Sequence, residues 1–374
     1  MRPRANRACG LWSGVLLASW TVLAFSGLIS AAALAAKPNK KTKSSRQKSC
    51  QVWTVSPAGK LVDSLPALDS LAAPEETAGF DQMVESVATA MRKGDSESLA
   101  ALFHPRLDMT APVIASQLAE IRSRYVEPVE ISPLKLLWLD TVDGDPGAIP
   151  CDYDGITLNP LYGYSHQASF LFQASGQLDI ARIMIALVPV PPRTGNDTGN
   201  SQANRKTTPT WKIGSFHSQQ WTHGAKDPLA WIETARMTLK QKHPYAAWVQ
   251  FDVAEKLLRA NSIASYSAHD AVVAERDAIM PLNSWLTETR KHSGGLALED
   301  AVSLLVPRGA GVLFKLRLVK ELSTVEIQTH CKAVVNSLTQ NHLAEGLSGI
   351  RCAYYRPGES LAKDSVTGGL FIPF

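Results

Sequence analysis

Residues 1–48 contain no aspartate or glutamate, yet nine of the chain's 38 Lys and Arg residues lie there. The formal charge of +4 is therefore a property of the N-terminus, since residues 49–374 hold 29 basic against 34 acidic side chains. A mildly acidic body lacks the basic face that phosphate backbones require, so no nucleic-acid partner is expected. HExxH, Walker A, GxSxG and paired CxxC patterns are all missing. Their absence removes the sequence signatures of zinc proteases, P-loop nucleotide binders, α/β-hydrolases and zinc ribbons. Arg308-Gly309-Ala310-Gly311 has the glycines of a phosphate loop without its context. His217 and His223 stand six apart, and nothing in their spacing supplies the four ligands of a metal site. No cofactor or metal is expected.

What is present begins with export. Arg2, Arg4 and Arg7 form a charged start, an uncharged stretch runs from Cys9 to Ala36, and Ala33-Leu34-Ala35 offers small residues at −3 and −1. These are the parts of a signal peptide over residues 1–35, cleaved between Ala35 and Ala36. No Arg-Arg pair points to the twin-arginine route. Leu11–Leu34 is also long enough to span a bilayer, so an uncleaved inner-membrane anchor with a periplasmic domain is the alternative. Lys37, Lys40, Lys41, Lys43, Arg46 and Lys48 follow the apolar run, and six charges after it against three before favour the opposite orientation for such an anchor. Removing Cys9 with the leader leaves Cys50, Cys151, Cys331 and Cys352, an even set that suits an oxidising compartment and allows three pairings. The expected location is periplasmic or secreted.

Residues 36–77 read as a basic tether and an irregular lead-in, and Lys37–Lys48 could lean on anionic lipid. Regular pattern starts at Phe80. Phe80, Met83, Val84, Val87 and Met91 recur at helical spacing up to Lys93-Gly94; Asp95 caps a second helix through Leu99, Leu102 and Phe103; and Ile114, Leu118, Ile121 and Tyr125 share a face of a third. Pro128 and Pro133 end that helix. Leu134–Leu139 is a short apolar run, Ala168, Phe170, Phe172 and Ala174 alternate as a strand, Gly176-Gln177 turns, and Leu178–Leu187 returns. Pro189–Pro209 reads as an exposed hairpin insertion before a last strand, Thr210–Trp221.

Helices followed by antiparallel strands give an α+β order. The segment Ala90-Met-Arg-Lys-Gly94-Asp95 through Leu99, Leu102-Phe103-His104-Pro105, and the strand Trp211-Lys212-Ile213-Gly214-Ser215-Phe216, resemble the opening and closing elements of nuclear-transport-factor-2-like (SnoaL-like) domains. The resemblance covers roughly residues 78–225. It implies a cone-shaped antiparallel sheet lined by N-terminal helices, with Trp211 and Ile213 facing the interior, and a sheet face through which many such domains dimerise. It further implies an interior Asp or His as base with a Tyr-type donor for an enolate. Asp108, Tyr125, Tyr164, His166 and His217 are the polar groups of the right type, although no family motif assigns them those roles.

Residues 226–293 form a helical region. Asp227 caps one helix, His243-Pro244 breaks it, a second carries Trp248, Phe251 and Leu257, and a third starts near Ser267 with Asp270 in a capping-box-like pair. The first two are similar to one tetratricopeptide-type hairpin, without the further copies a solenoid needs. Residues 294–374 form a small α/β unit. Val312, Phe314, Leu316 and Leu318 alternate on a strand, Ser323 caps a helix bearing Cys331, Val334, Val335 and Leu338, and Ile350, Cys352 and Tyr354 share a strand face. Cys331 and Cys352 thus point toward one core, which pairs them and leaves Cys50 for Cys151. Buried free thiols are the competing arrangement.

The composite reading is an exported envelope protein, a non-catalytic binding or interaction module with a protein partner. A cone that holds a small apolar ligand, and an isomerase or dehydratase of the same fold, are the alternatives. A homodimer through the open sheet face is compatible with each.

Overall fold

The computed structural model describes residues 49–56, 58, 60, 79–124, 130–141, 147–164, 166–177, 179–190, 210–279, 282–291, 296–306, 309–361 and 368–374. The leader with Ala35 and Ala36, the tether, Tyr125 and the insertion at 191–209 lie outside them. The described residues form a mixed α+β fold with eight helices and three sheets.

Three helices come first: α1 (Phe80–Lys93), α2 (Ser96–Leu102) and α3 (Ala111–Arg124). The apolar residues of α1 that recur at helical spacing are its buried face. Gly94 ends the helix at φ 67°, donating its N–H to the carbonyls of Ala90 and Met91. Glycine suits the position through its left-handed backbone, and the Arg122 guanidinium lies where a Cβ would be. The Asp95 carboxylate then accepts from Ser98 N–H at 3.0 Å and starts α2.

The main sheet has the order β1-β2-β5-β6-β7, antiparallel throughout, from β1 (Ser49–Thr54), β2 (Glu130–Asp140), β5 (His166–Ser175), β6 (Ile180–Val190) and β7 (Thr210–Gln220). β1 corrects the reading of residues 36–77 as wholly irregular: Ser49–Thr54 pairs with Lys135–Asp140 along its full length. Pro133 likewise does not end a helix but sits within β2. The register shifts beside it, between Pro133 and Lys135, and β1 pairs only from Lys135 onward. A missing N–H is tolerated at such a place.

Alternation along these strands gives the sheet two apolar faces. Leu136, Trp138, Phe170, Phe172, Ile183, Ile185, Trp211 and Ile213 pack with α1–α3. Leu137, Leu139, Leu171 and Met184 belong to a second core shared with everything after residue 227. The face that the family resemblance leaves open for a second copy is therefore covered by the chain itself.

That covering layer begins with α4 (Pro228–Lys240) and α5 (Pro244–Leu257), each carrying proline in its first turn. A short strand, β8 (Ala264–Tyr266), then leaves the helical region and pairs with β4 (Ile156–Leu158), itself paired with β3 (Ile149–Pro150). α6 (His269–Asp277) starts from Ala268 with no side-chain cap. The Ser267–Asp270 capping pair does not form, because Ser267 is held in the strand exit, its N–H donated to the Gly155 carbonyl at 2.9 Å. α7 (Leu282–Lys291) precedes the last sheet, of order β12-β11-β10-β9, from β9 (Leu296–Val306), β10 (Gly309–Leu318), β11 (Gly349–Tyr355) and β12 (Gly368–Pro373). β10 and β11 are parallel, joined by α8 (Thr324–Gln340), whose start is a full capping box between Ser323 and Glu326. Arg46–Phe374 is one compact unit, so the boundaries after residues 225 and 293 fall inside it.

Both expected disulfides are formed. Cys50 on β1 joins Cys151 after β3 with Cα atoms 5.2 Å apart, and Cys331 on α8 joins Cys352 on β11 at 6.5 Å.

Candidate functional site

The space between the main sheet and α1 is where the resemblance places a ligand. Trp138 occupies its centre. Trp53 stacks on it at 5.6 Å, Phe80 meets it edge-on at 5.3 Å, Trp211 lies at 5.6 Å and His166 stacks at 5.9 Å. Four rings thus contact Trp138, and Phe80 also meets Trp211 at 4.5 Å, so aromatic side chains occupy the centre of this space.

The sequence-predicted polar residues do not converge on one point. Asp108 is exposed in the loop between α2 and α3. His166 is 4% exposed and faces Asp140 with its Nδ1 3.8 Å from the carboxylate. Tyr164 lies two residues earlier, half-buried, with its carbonyl accepting from the Thr141 hydroxyl and, at 3.3 Å, from Gln167 Nε2. His217 pairs with Met184 across β6 and β7, so it lies on the sheet face opposite Trp138 and His166. Burial pulls the His217 imidazole below its ordinary pKa. The two histidines therefore face opposite sides of the sheet and do not share one site.

The opposite face holds a polar cluster that pattern reading missed. Arg182 is 6% exposed, lies 3.3 Å above the Trp221 ring and 5.8 Å from that of Tyr153, and pairs with Asp154 at 2.5 Å. Tyr266 of β8 packs on Trp221 at 5.3 Å. The signal was available: Arg182 is the lone charge in Ile180–Val190, a strand otherwise apolar, and a buried guanidinium requires a partner. The cluster joins β6, the β3–β4 loop and β8, and it serves as a bolt between segments. Asp154→Asn should leave Arg182 buried without its counter-charge and cost about 2 kcal/mol, discounted for the partial exposure of Asp154. Adding Arg182→Met should recover most of that loss in urea unfolding, because it removes the stranded charge.

A second buried charge group secures the C-terminal sheet. Asp252 of α5 is 7% exposed and accepts from Ser303 N–H at 3.1 Å, Lys256 Nζ at 3.0 Å and Arg276 Nη1 at 3.1 Å. Burial pushes its carboxyl upward, but the Lys256 charge and the Ser303 and Lys256 bonds outweigh it and hold the pKa below the usual carboxylate value. A depressed native pKa means stability that is complete above the unfolded value of about 4 and is lost as pH falls through the native one. Unfolding by urea between pH 7 and pH 2.5 should show this loss confined below pH 4, and Asp252→Asn should flatten it.

His223 faces the C-terminal sheet. Its Nε2 lies 3.1 Å from the Val306 carbonyl and 3.3 Å from that of Gly309, which ties it to the β9–β10 turn. Among the described residues, no three His, Cys, Asp or Glu side chains are placed to share a metal ion, and no helix is long and apolar enough to cross a membrane.

No protein-family model, curated protein or solved structure matches this chain.

Proposed function

We propose that this chain is an exported envelope protein whose cone-like N-terminal half is a scaffold, and that it acts as a non-catalytic interaction module for a protein partner. The pair of disulfides carries the reading: bridges between distant elements persist in oxidising compartments such as the periplasm and are rare in reducing ones. The interior supports it further. A substrate or apolar ligand would have to displace Trp138 from contacts with four other rings, whereas a scaffold gains from that packing. The nuclear-transport-factor-2-like resemblance does not by itself assign chemistry, because one fold hosts many unrelated functions.

The test is expression in a Gram-negative host with the native leader, followed by fractionation, intact mass and in-cell crosslinking. The expected product is periplasmic, begins at Ala36, carries no free thiol and crosslinks to a discrete partner. Recovery from the cytoplasm with all five cysteines free would defeat the proposal, and a full-length membrane-bound form would convert it to an anchored component.

A further inference from the structure

β12 is an edge of the C-terminal sheet, bonded to β11 on one side and to no described strand on the other. The sheet's opposite edge, β9, is closed by the chain itself. Ser303 on that strand donates its N–H to the Asp252 carboxylate at 3.1 Å, and its carbonyl accepts from Lys256 Nζ at 3.2 Å. Among the described residues β12 has no such cover. It also lacks the charged side chains that commonly guard an edge, since Gly368–Phe374 reads Gly-Gly-Leu-Phe-Ile-Pro-Phe.

The register fixes which backbone groups this edge offers. Phe374 N–H donates to the Ser348 carbonyl at 3.3 Å, and antiparallel pairs alternate between bonded and non-bonded. Gly368, Leu370 and Ile372 therefore bond to β11, whereas Gly369, Phe371 and Pro373 turn their backbone groups outward. Pro373 fits this assignment, because proline in a sheet sits where its missing N–H would face away from the neighbouring strand. The outward donors are thus the N–H groups of Gly369 and Phe371. Side chains divide along the strand as well. Leu370 and Ile372 are half-buried against the core, while Phe371 is 42% exposed and covers Gly349, where a Cβ would come 2.7 Å from its ring.

We propose that β12 pairs with β12 of a second copy, antiparallel about a two-fold axis at Phe371, so that the two C-terminal sheets become one. In that register Phe371 exchanges two N–H···O bonds with its counterpart, and each Gly369 N–H donates to the other copy's Pro373 carbonyl. Both outward donors of each strand are satisfied, and the position without a donor loses none. Leu370 falls opposite Ile372 on the core face. The two Phe371 rings become neighbours on the outer face, an aromatic pair of the kind that stabilises sheets. A strand without charge meets no like charge when it pairs with itself, which makes its own copy the strand it fits.

An edge of six residues is small beside the ~1,200 Å² of a standard interface, so the dimer should be weak, with Kd about 100 µM. Sedimentation equilibrium of the mature, oxidised chain from about 20 µM to 1 mM measures it, and amide exchange by NMR locates it. Over that range exchange at Gly369 and Phe371 should slow about threefold, while Leu370 and Ile372, already bonded to β11, change little. Phe371→Lys or Phe371→Glu alone should weaken association about tenfold, because each sets like charges directly opposite. An equimolar mixture of the two variants should associate again, which also shows that both fold. A monomer throughout the range overturns the proposal. So does association that leaves the Gly369 and Phe371 amides unchanged, that survives Phe371→Lys, or that fails to return in a mixture of variants with wild-type circular dichroism.

Discussion

Replacing Cys50 and Cys151 together by alanine should lower the unfolding free energy by about 4–5 kcal/mol, the largest single effect expected in this protein. The bridge joins positions 101 residues apart, and closing so long a loop removes more entropy from the unfolded chain than closing a short one. Loss of the bridge also releases β1, a strand at the edge of the main sheet that pairs with β2 alone. Trp53 on that strand would lose its hold against Trp138. Guanidinium unfolding of the oxidised wild type and the double variant measures the difference directly. The Cys331–Cys352 bridge closes a span of 21 residues and should be worth about 3 kcal/mol in the same assay. Equal stability of the Cys50/Cys151 variant and the wild type would mean that β1 pairing alone suffices.

Trp138→Ala should cost about 4 kcal/mol and bring a loss of the near-ultraviolet circular dichroism that packed indoles produce. The side chain is 1% exposed, and four rings surround it, on three different strands and α1. Such a hole cannot collapse without moving the sheet against the helix, so the cavity contribution adds to the lost transfer energy. Trp138→Phe should cost much less. The indole N–H finds no acceptor among the described residues, and phenylalanine removes that stranded donor while keeping most of the contact. A destabilisation below about 1 kcal/mol for the alanine variant would mean that the cluster does not organise this half of the fold.

Much of the fold was legible because local chemistry and tertiary need agree. Asp95, Asp227 and Ser323 were readable as caps and each cap forms. The alternating Val312–Leu318 strand and the Cys331-bearing helix face were enough to bring two cysteines together. What escaped were elements defined by a distant partner. Ser49–Thr54 is too short to declare itself, and it becomes a strand because β2 offers an edge. Ala264–Tyr266 is three residues long and exists by pairing with β4, more than a hundred positions away. The candidate site was the least legible part. Which face a polar residue occupies depends on register, and the bulge between Ala186 and Leu187 shifts β7 against β6 before His217 is reached. Sequence alternation cannot carry a face assignment across such a shift.

The order of the two bridges along the chain bears on how the protein matures. Cys50 pairs with Cys151 and Cys331 with Cys352, so each of these four cysteines joins its neighbour along the chain. A polypeptide that emerges N-terminus first into an oxidising space presents Cys151 to Cys50 before either later thiol is available. An oxidase acting on thiols in their order of appearance thus makes the native set directly, and disulfide isomerisation, the slow shuffling that non-consecutive frameworks depend on, has nothing to correct.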